Sequence, residues 1–223
     1  MSIKRRDFIK GMAGVGAGLI LPMHTVLGAN DRVNVAVAGV RNRGKTHIKA
    51  LAALPNVNVI ALCDPDAEVL EEQGAKLPGA VLHQDYRKLL EMKELDAISI
   101  VTPNHWHAPM AIHACQAGKH VYVEKPCSHN VREGRLLVDA ARRNNCVVQH
   151  GTQVRSTPMM IEAVELLRSG IIGDVLISKA WNIQRRGSIG HGKPTDPPKG
   201  FDYDTWVGPA TMIPYQANRV HGG

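Results

Sequence analysis

Four short groups of residues hold the chemistry of this chain. Gly39 and Gly44 bracket Val40-Arg41-Asn42-Arg43, Asp64 stands before a proline, and Thr102-Pro103-Asn104-His105-Trp106-His107 and Glu124-Lys125-Pro126 each end an apolar run. The first group follows small and β-branched residues, 33–38, that read as a strand buried on both faces. Gly39 makes the tight turn, and Gly44 lets the next helix approach the strand with its free N–H groups aimed at an anion. A pyrophosphate fits such a cradle. Arg41 occupies the middle position of Gly-x-Gly-x-x-Gly, so the glycines carry little weight alone. Asp64 lies twenty positions past Gly44, where a dinucleotide fold offers a carboxylate to the adenosine ribose hydroxyls. A turn or helix-capping role before Pro65 is the other reading, and Asp66 caps equally well. An acid at this place repels a 2′-phosphate and favours NAD, while Arg41 and Arg43 keep NADP open because either guanidinium can reach such a phosphate.

The elements that must carry these groups follow from periodicity. Ile48, Leu51 and Ala52 recur at helical spacing until Pro55-Asn56, and 57–63 form a second strand. A helix over 66–76, a short strand over 80–82 and a helical turn over 86–92 come next. Then follow a strand over 97–101, a helix over 107–117 stopped by Gly118, a strand over 120–123, a helix over 131–144 and a strand over 147–149. Strands alternating with helices at these lengths predict an α/β fold, a Rossmann-type doubly wound parallel sheet over 31–150, with its ligand at the carboxyl ends of the strands. Each chemical group falls at such an end. A helix over 158–169 then leads to 175–183, which read as the first strand of an incomplete α+β domain over 151–223. Residues 184–223, rich in Gly and Pro, are expected to be poorly ordered without partner strands.

Composition narrows the partners. The formal charge is +7, but Lys4, Arg5, Arg6 and Lys10 against Asp7 put +3 of it in the first ten residues. No long basic run remains, and two Phe, four Tyr and three Trp give no aromatic interleaving, so nucleic acid is not an expected partner. Arg5-Arg6 ahead of Phe8-Ile9 and the weakly apolar stretch 11–22 resemble a twin-arginine export signal over 1–29. That stretch is shorter than the ~20 residues of a spanning helix and is loosened by glycines, so no membrane association is expected after cleavage, and the expected destination is the periplasm or another place outside the cytoplasm reached by that route. Cys63, Cys115, Cys127 and Cys146 form no Cys-x-x-Cys pair, and Cys63 in a strand and Cys115 in a helix read as small buried hydrophobes. His105 and His107 have a ligating spacing, but the loop offers no third ligand and no metal is expected.

Together with the cradle and Asp64, the strand-ending Thr102–His107 and Glu124-Lys125-Pro126 motifs resemble the Gfo/Idh/MocA family of nicotinamide-dependent sugar oxidoreductases over 31–180. Asp204-Thr205-Trp206-Val207-Gly208-Pro209-Ala210 resembles a stretch of its exported members. The resemblance implies that Lys125 lies beside the nicotinamide ribose and the sugar, where its amine can hydrogen-bond a sugar hydroxyl and relay the proton released as hydride leaves. It implies cofactor contacts for Gly39, Arg41, Asn42, Arg43, Gly44, Asp64, Thr102, Asn104, His107, Glu124 and Lys125, with a helix-start role for His107 left open. Glu124 is expected to orient Lys125 or to bind near the nicotinamide. Gln153 and Arg155 are implied substrate contacts, and Trp181 either stacks on a sugar face or plugs a core. The family's catalytic aspartate and histidine, one helical turn apart in the second domain, find no match before Gly223, so the chain reads as truncated, and a homo-oligomer is expected only of a longer form. An exported enzyme would lose freely exchanging NAD, which predicts a tightly held cofactor restored within each cycle. The implied activity is oxidoreduction of a sugar or polyol hydroxyl. An NAD-dependent glycosidase working by oxidation, elimination and reduction is one alternative, and a non-catalytic nucleotide-binding fragment is another.

Overall fold

Six apolar runs become the six strands of one parallel sheet: β1 (Val33–Ala38), β2 (Val57–Cys63), β3 (Val81–His83), β4 (Ala97–Ile100), β5 (His120–Glu124) and β6 (Val148–Gly151). The order is β3-β2-β1-β4-β5-β6, so the chain reverses its winding between β1 and β4. This is the Rossmann arrangement expected from the sequence. The computed structural model describes residues 32–185 and 187–220. The expected export signal lies outside the described residues.

The sheet's hand-over from sequence to packing is clearest in β1. Ala36 and Ala38 turn to one face and pack with Ile98, Ile100, Val121 and Val123 against α4 (Asn104–Gln116) and α5 (Val131–Arg143). Val37 turns to the other face and packs with Leu62 against α1 (Asn42–Ala52) and α2 (Ala67–Gly74). Alternation with both faces apolar is what burial on two sides demands. α3 (Tyr86–Glu91) fills the edge beside β3. Helix starts are set by short polar side chains: Asp66 caps α2 by accepting from Val69 N, and Asn130 caps α5 by accepting from Glu133 N at 2.9 Å. Glu133 in return accepts from His129 N at 2.8 Å.

Three expectations are corrected. α4 begins at Asn104 and not at His107, with Pro103 in the N-cap position: the polar run reads as a loop in sequence, but the first turn of a helix needs no apolar residue. Residues 175–183 form no strand, and Trp181 is 76% exposed, so it neither plugs a core nor meets a wall here. A strand exists only by pairing, and no described segment lies alongside to pair with it. Residues 200–220, expected to be poorly ordered, instead fold back onto the sheet unit. Phe201, Tyr215 and Val220 bury each other with Tyr203 and Trp206, around the short helix α7 (Tyr203–Val207). Ahead of both segments, α6 (Pro158–Arg168) buries none of its residues. No helix among the described residues is long and apolar enough to cross a membrane.

Candidate functional site

The site grows from the turn after β1. Gly39 has φ +84°, and a Cβ on it would stand 2.6 Å from the Val101 carbonyl at the end of β4. A Cβ on Gly44 would collide with the Gly39 carbonyl oxygen. Both positions therefore require glycine: one for its backbone conformation and the closeness of β4, the other for the closeness of α1 to the turn. Arg41, with φ −85°, sits in extended backbone that any residue adopts, so the turn itself does not need the middle glycine.

Asp64 closes the other side of this turn. It is 7% exposed, its Oδ2 accepts from Val40 N at 2.9 Å and its Oδ1 accepts from Asp66 N at 3.1 Å. These two backbone bonds fix the carboxylate in place beside the turn. Between β1, β2 and β4 opens a cavity of about 310 Å³. Gly39, Arg41, Asn42, Arg43, Asp64 and Thr102 line it, six of the expected cofactor residues. Asn42 lies in the left-handed region, at φ +33°, which asparagine tolerates better than most residues.

The far wall was not expected from the residues. Trp106 comes from α4, Gln84 and Tyr86 from the β3 edge, and Thr205, Trp206 and Arg219 from the folded-back C-terminal segment. Trp106 Nε1 donates to the Thr205 carbonyl at 2.9 Å, and His105 Nε2 lies 2.8 Å from the Trp206 carbonyl. Trp106, Thr205 and Trp206 stood inside motifs already singled out, whereas nothing in the sequence marked Arg219. Arg41, Arg43 and Arg219 against Asp64 leave the cavity walls net cationic, as a pyrophosphate requires.

The remaining expected residues stand outside this cavity. His107 is 2% exposed, with Nδ1 2.7 Å from the Pro126 carbonyl and Nε2 2.8 Å from the Thr102 carbonyl. It ties the ends of β4 and β5 together from behind, which corrects both the cofactor-contact and the helix-start readings. Glu124 is likewise turned inward. Its carboxylate accepts from Arg43 Nε at 2.9 Å, His47 Nε2 at 3.1 Å, Gln153 Nε2 at 3.1 Å and the backbone N–H of Lys125 at 3.1 Å. Burial pushes its carboxyl up, but Arg43 first, then the Lys125 N–H, His47 and Gln153 outweigh that and hold it down at about 2. Four donors leave little for a ligand, so Glu124 braces the cleft, and it holds Lys125 by the backbone and not by the amine. Gln153 joins that brace. Asn104, Lys125 and Arg155 are exposed. Among the described residues, no three His, Cys, Asp or Glu side chains gather as a metal centre would need.

The nicotinamide cofactor fits what is present. The two glycines shape a cradle that a single Cβ would fill, and Thr102 Oγ1, buried at the cavity wall, has no hydrogen-bond partner among the described residues. An orphaned hydroxyl beside a cationic cradle is a place for a polar ligand.

Comparison with known proteins agrees with this geometry. Residues 33–152 match the model of the oxidoreductase family with an NAD-binding Rossmann fold, Gfo/Idh/MocA. A protein of Shewanella pealeana named as a glycosyl hydrolase family 109 protein is 31% identical over 211 residues, covering 81% of this chain and 46% of that relative. The chain thus spans about half the length of the curated relatives it matches. Among solved structures, myo-inositol 2-dehydrogenase of Lactobacillus plantarum superposes with a TM-score of 0.61 at 26% identity, over 65% of this chain and 43% of that one. An NAD binding oxidoreductase of Klebsiella pneumoniae gives 0.56 at 33% identity, over 64% and 40%. With its glycine turn, its buried Asp64 at the end of β2 and its parallel sheet, the chain belongs to the Gfo/Idh/MocA oxidoreductases, whose Rossmann fold binds NAD.

Proposed function

We propose that this chain is the cofactor-binding part of an exported enzyme that oxidises a sugar or polyol hydroxyl with a tightly held NAD. The observation that carries the reading is the cavity at the point where the sheet reverses, with its glycine cradle, fixed Asp64 and unpartnered Thr102 hydroxyl, one strand away from Lys125. The N–H groups that open α1 and the Arg41 and Arg43 guanidinia would hold the pyrophosphate, Asp64 the adenosine ribose, and Thr102 a polar group further along. Bound NAD supplies the hydride acceptor. Lys125, exposed at the end of β5 with its backbone pinned by Glu124, would hydrogen-bond the reacting hydroxyl oxygen and stabilise or relay the proton released as the C–H bond breaks. Arg155, exposed on the segment after β6 whose Gln153 donates to Glu124, would face the sugar. Arg5-Arg6 supports passage by the twin-arginine route, which carries folded proteins and so lets the cofactor travel with its cradle.

The name of the Shewanella pealeana relative favours a second reading, in which hydroxyl oxidation acidifies the neighbouring C–H, the aglycone is eliminated, water adds across the double bond so formed, and the oxidation is then reversed. Both readings share the cavity and Lys125, and they differ in net redox change. Purified full-length protein is examined for bound nicotinamide by absorbance and mass, then given sugars and aryl glycosides. Growth at 340 nm supports net oxidation, aglycone release without NADH supports the glycosidase, and absence of any nicotinamide binding overturns both.

A further inference from the structure

The face of the sheet covered by α1 and α2 over β1 and β2 is open over β4 to β6, where a second cavity of about 430 Å³ lies. Ser99 and His47 line it, and from them a chain of polar groups runs to Glu124. Ser99 Oγ lies 2.9 Å from His47 Nδ1, and His47 Nε2 lies 3.1 Å from Glu124 Oε1. Ser99 is 2% exposed, His47 9% and Glu124 4%. Carboxylate oxygens only accept, so Nε2 bears a proton toward Glu124 and the Ser99 hydroxyl pairs with Nδ1. The edge of the imidazole packs against Tyr122, with ring centroids 5.4 Å apart.

The order serine, histidine, carboxylate is that of a nucleophilic triad, but the surroundings are not. Ser99 stands in mid-strand, paired with Val37 on one side and Tyr122 on the other, so its own N–H belongs to the ladder and no oxyanion pocket flanks its oxygen. The relay instead leads to what Glu124 holds. Arg43 and His47 lie one helical turn apart on α1 and donate to the same oxygen, Oε1. Arg43 donates through Nε, which leaves its terminal nitrogens for the cofactor cavity it lines. The other oxygen accepts from the backbone of Lys125. One buried carboxylate therefore sets both a cationic wall of the cradle and the strand end that carries the lysine.

We propose that His47 and Ser99 are positioning residues that hold Glu124, and through it Arg43 and the Lys125 backbone, in the arrangement that seats the nicotinamide cofactor; this rests on the nucleotide-binding reading above. Without the imidazole, Glu124 loses one of its donors and turns, and Arg43 turns with it. The serine keeps the ring aimed.

The test is NADH affinity of the purified chain, read by fluorescence titration, beside its unfolding midpoint. His47→Phe keeps the ring packing on Tyr122 and removes both hydrogen bonds; it is expected to weaken NADH binding about tenfold, the effect of one charge-assisted bond. His47→Gln, whose amide can still donate to Glu124, is expected to recover most of that, and Ser99→Ala to lose a few-fold. In a Glu124→Gln background, His47→Phe is expected to add almost nothing, because its action passes through the carboxylate. Unchanged affinity in His47→Phe, or effects of His47→Phe and Glu124→Gln that simply multiply, overturns the proposal. If His47→Phe does not fold, Ser99→Ala decides, and wild-type affinity there overturns it. A wild-type chain that does not bind NADH removes the functional reading and this proposal with it, whereas binding that ignores His47 and Ser99 removes the proposal alone.

Discussion

Glu124 shows how a residue can be central without touching a ligand. A carboxylate 4% exposed is costly unless its charge is met, and four protein donors meet it. They hold its carboxyl at about 2, against 4.5 when unperturbed, so the folded state binds the proton more weakly than the unfolded one. The stabilisation is complete above about pH 4.5 and is lost as pH falls toward about 2. Glu124→Gln is expected to be less stable than wild type at pH 7 and to lack part of the acid-side fall, so the two stability curves converge below about pH 3. Urea unfolding at a series of pH values checks this, and parallel curves would remove Glu124 from the acid sensitivity of the fold. None of this was legible in the Glu-Lys-Pro motif. Its partners Arg43, His47 and Gln153 come from two other segments, and sequence spacing does not reveal a convergence made by the sheet.

At the level of elements, the strands were legible because a parallel sheet buried on both faces leaves continuous apolar runs, and the strand ends were legible because polar motifs stop those runs. What escaped was whatever depends on a neighbour. Residues 175–183 carry a strand's composition without a partner to pair with, and 200–220 carry a loop's composition yet dock. Their docking is anchored by polar and aromatic contacts that composition cannot display: Asp202 N donates to the Pro65 carbonyl, Gln84 Nε2 to the Gly200 carbonyl, and Trp106 Nε1 to the Thr205 carbonyl, each at 2.9 Å. Gly208 is the tightest point, at φ +51° and against the Trp106 indole, into which any Cβ would run. Gly208→Ala is therefore expected to lift α7 off α4 and to open the wall made by Thr205 and Trp206. Faster proteolytic cleavage within 200–220 and weaker NADH binding should appear together. Cleavage at the wild-type rate would mean that the indole yields and the segment stays docked.

On the scale of the whole molecule, cofactor and fold are linked, because the cavity draws its walls from β1, β2, β4 and the C-terminal segment at once. A ligand that binds only this assembled state stabilises it by about 2.7 kcal/mol at a hundred times its dissociation constant. For a unit of this size that corresponds to a rise of roughly 5–10 °C in the unfolding midpoint. The size of the rise should depend on the ribose substituent. Asp64 cannot swing aside for a 2′-phosphate, since Val40 N and Asp66 N hold its two oxygens from the backbone. Arg41, Arg43 and Arg219 pull the other way, but a buried fixed carboxylate in direct contact outweighs half-exposed guanidinia screened by water. NADH is accordingly expected to raise the midpoint more than NADPH at equal concentration, and Asp64→Ala to narrow the gap chiefly by lowering the NADH effect. Equal rises for the two cofactors in the wild-type chain would take Asp64 out of the ribose role and leave it as the tie between the turn after β1 and the end of β2.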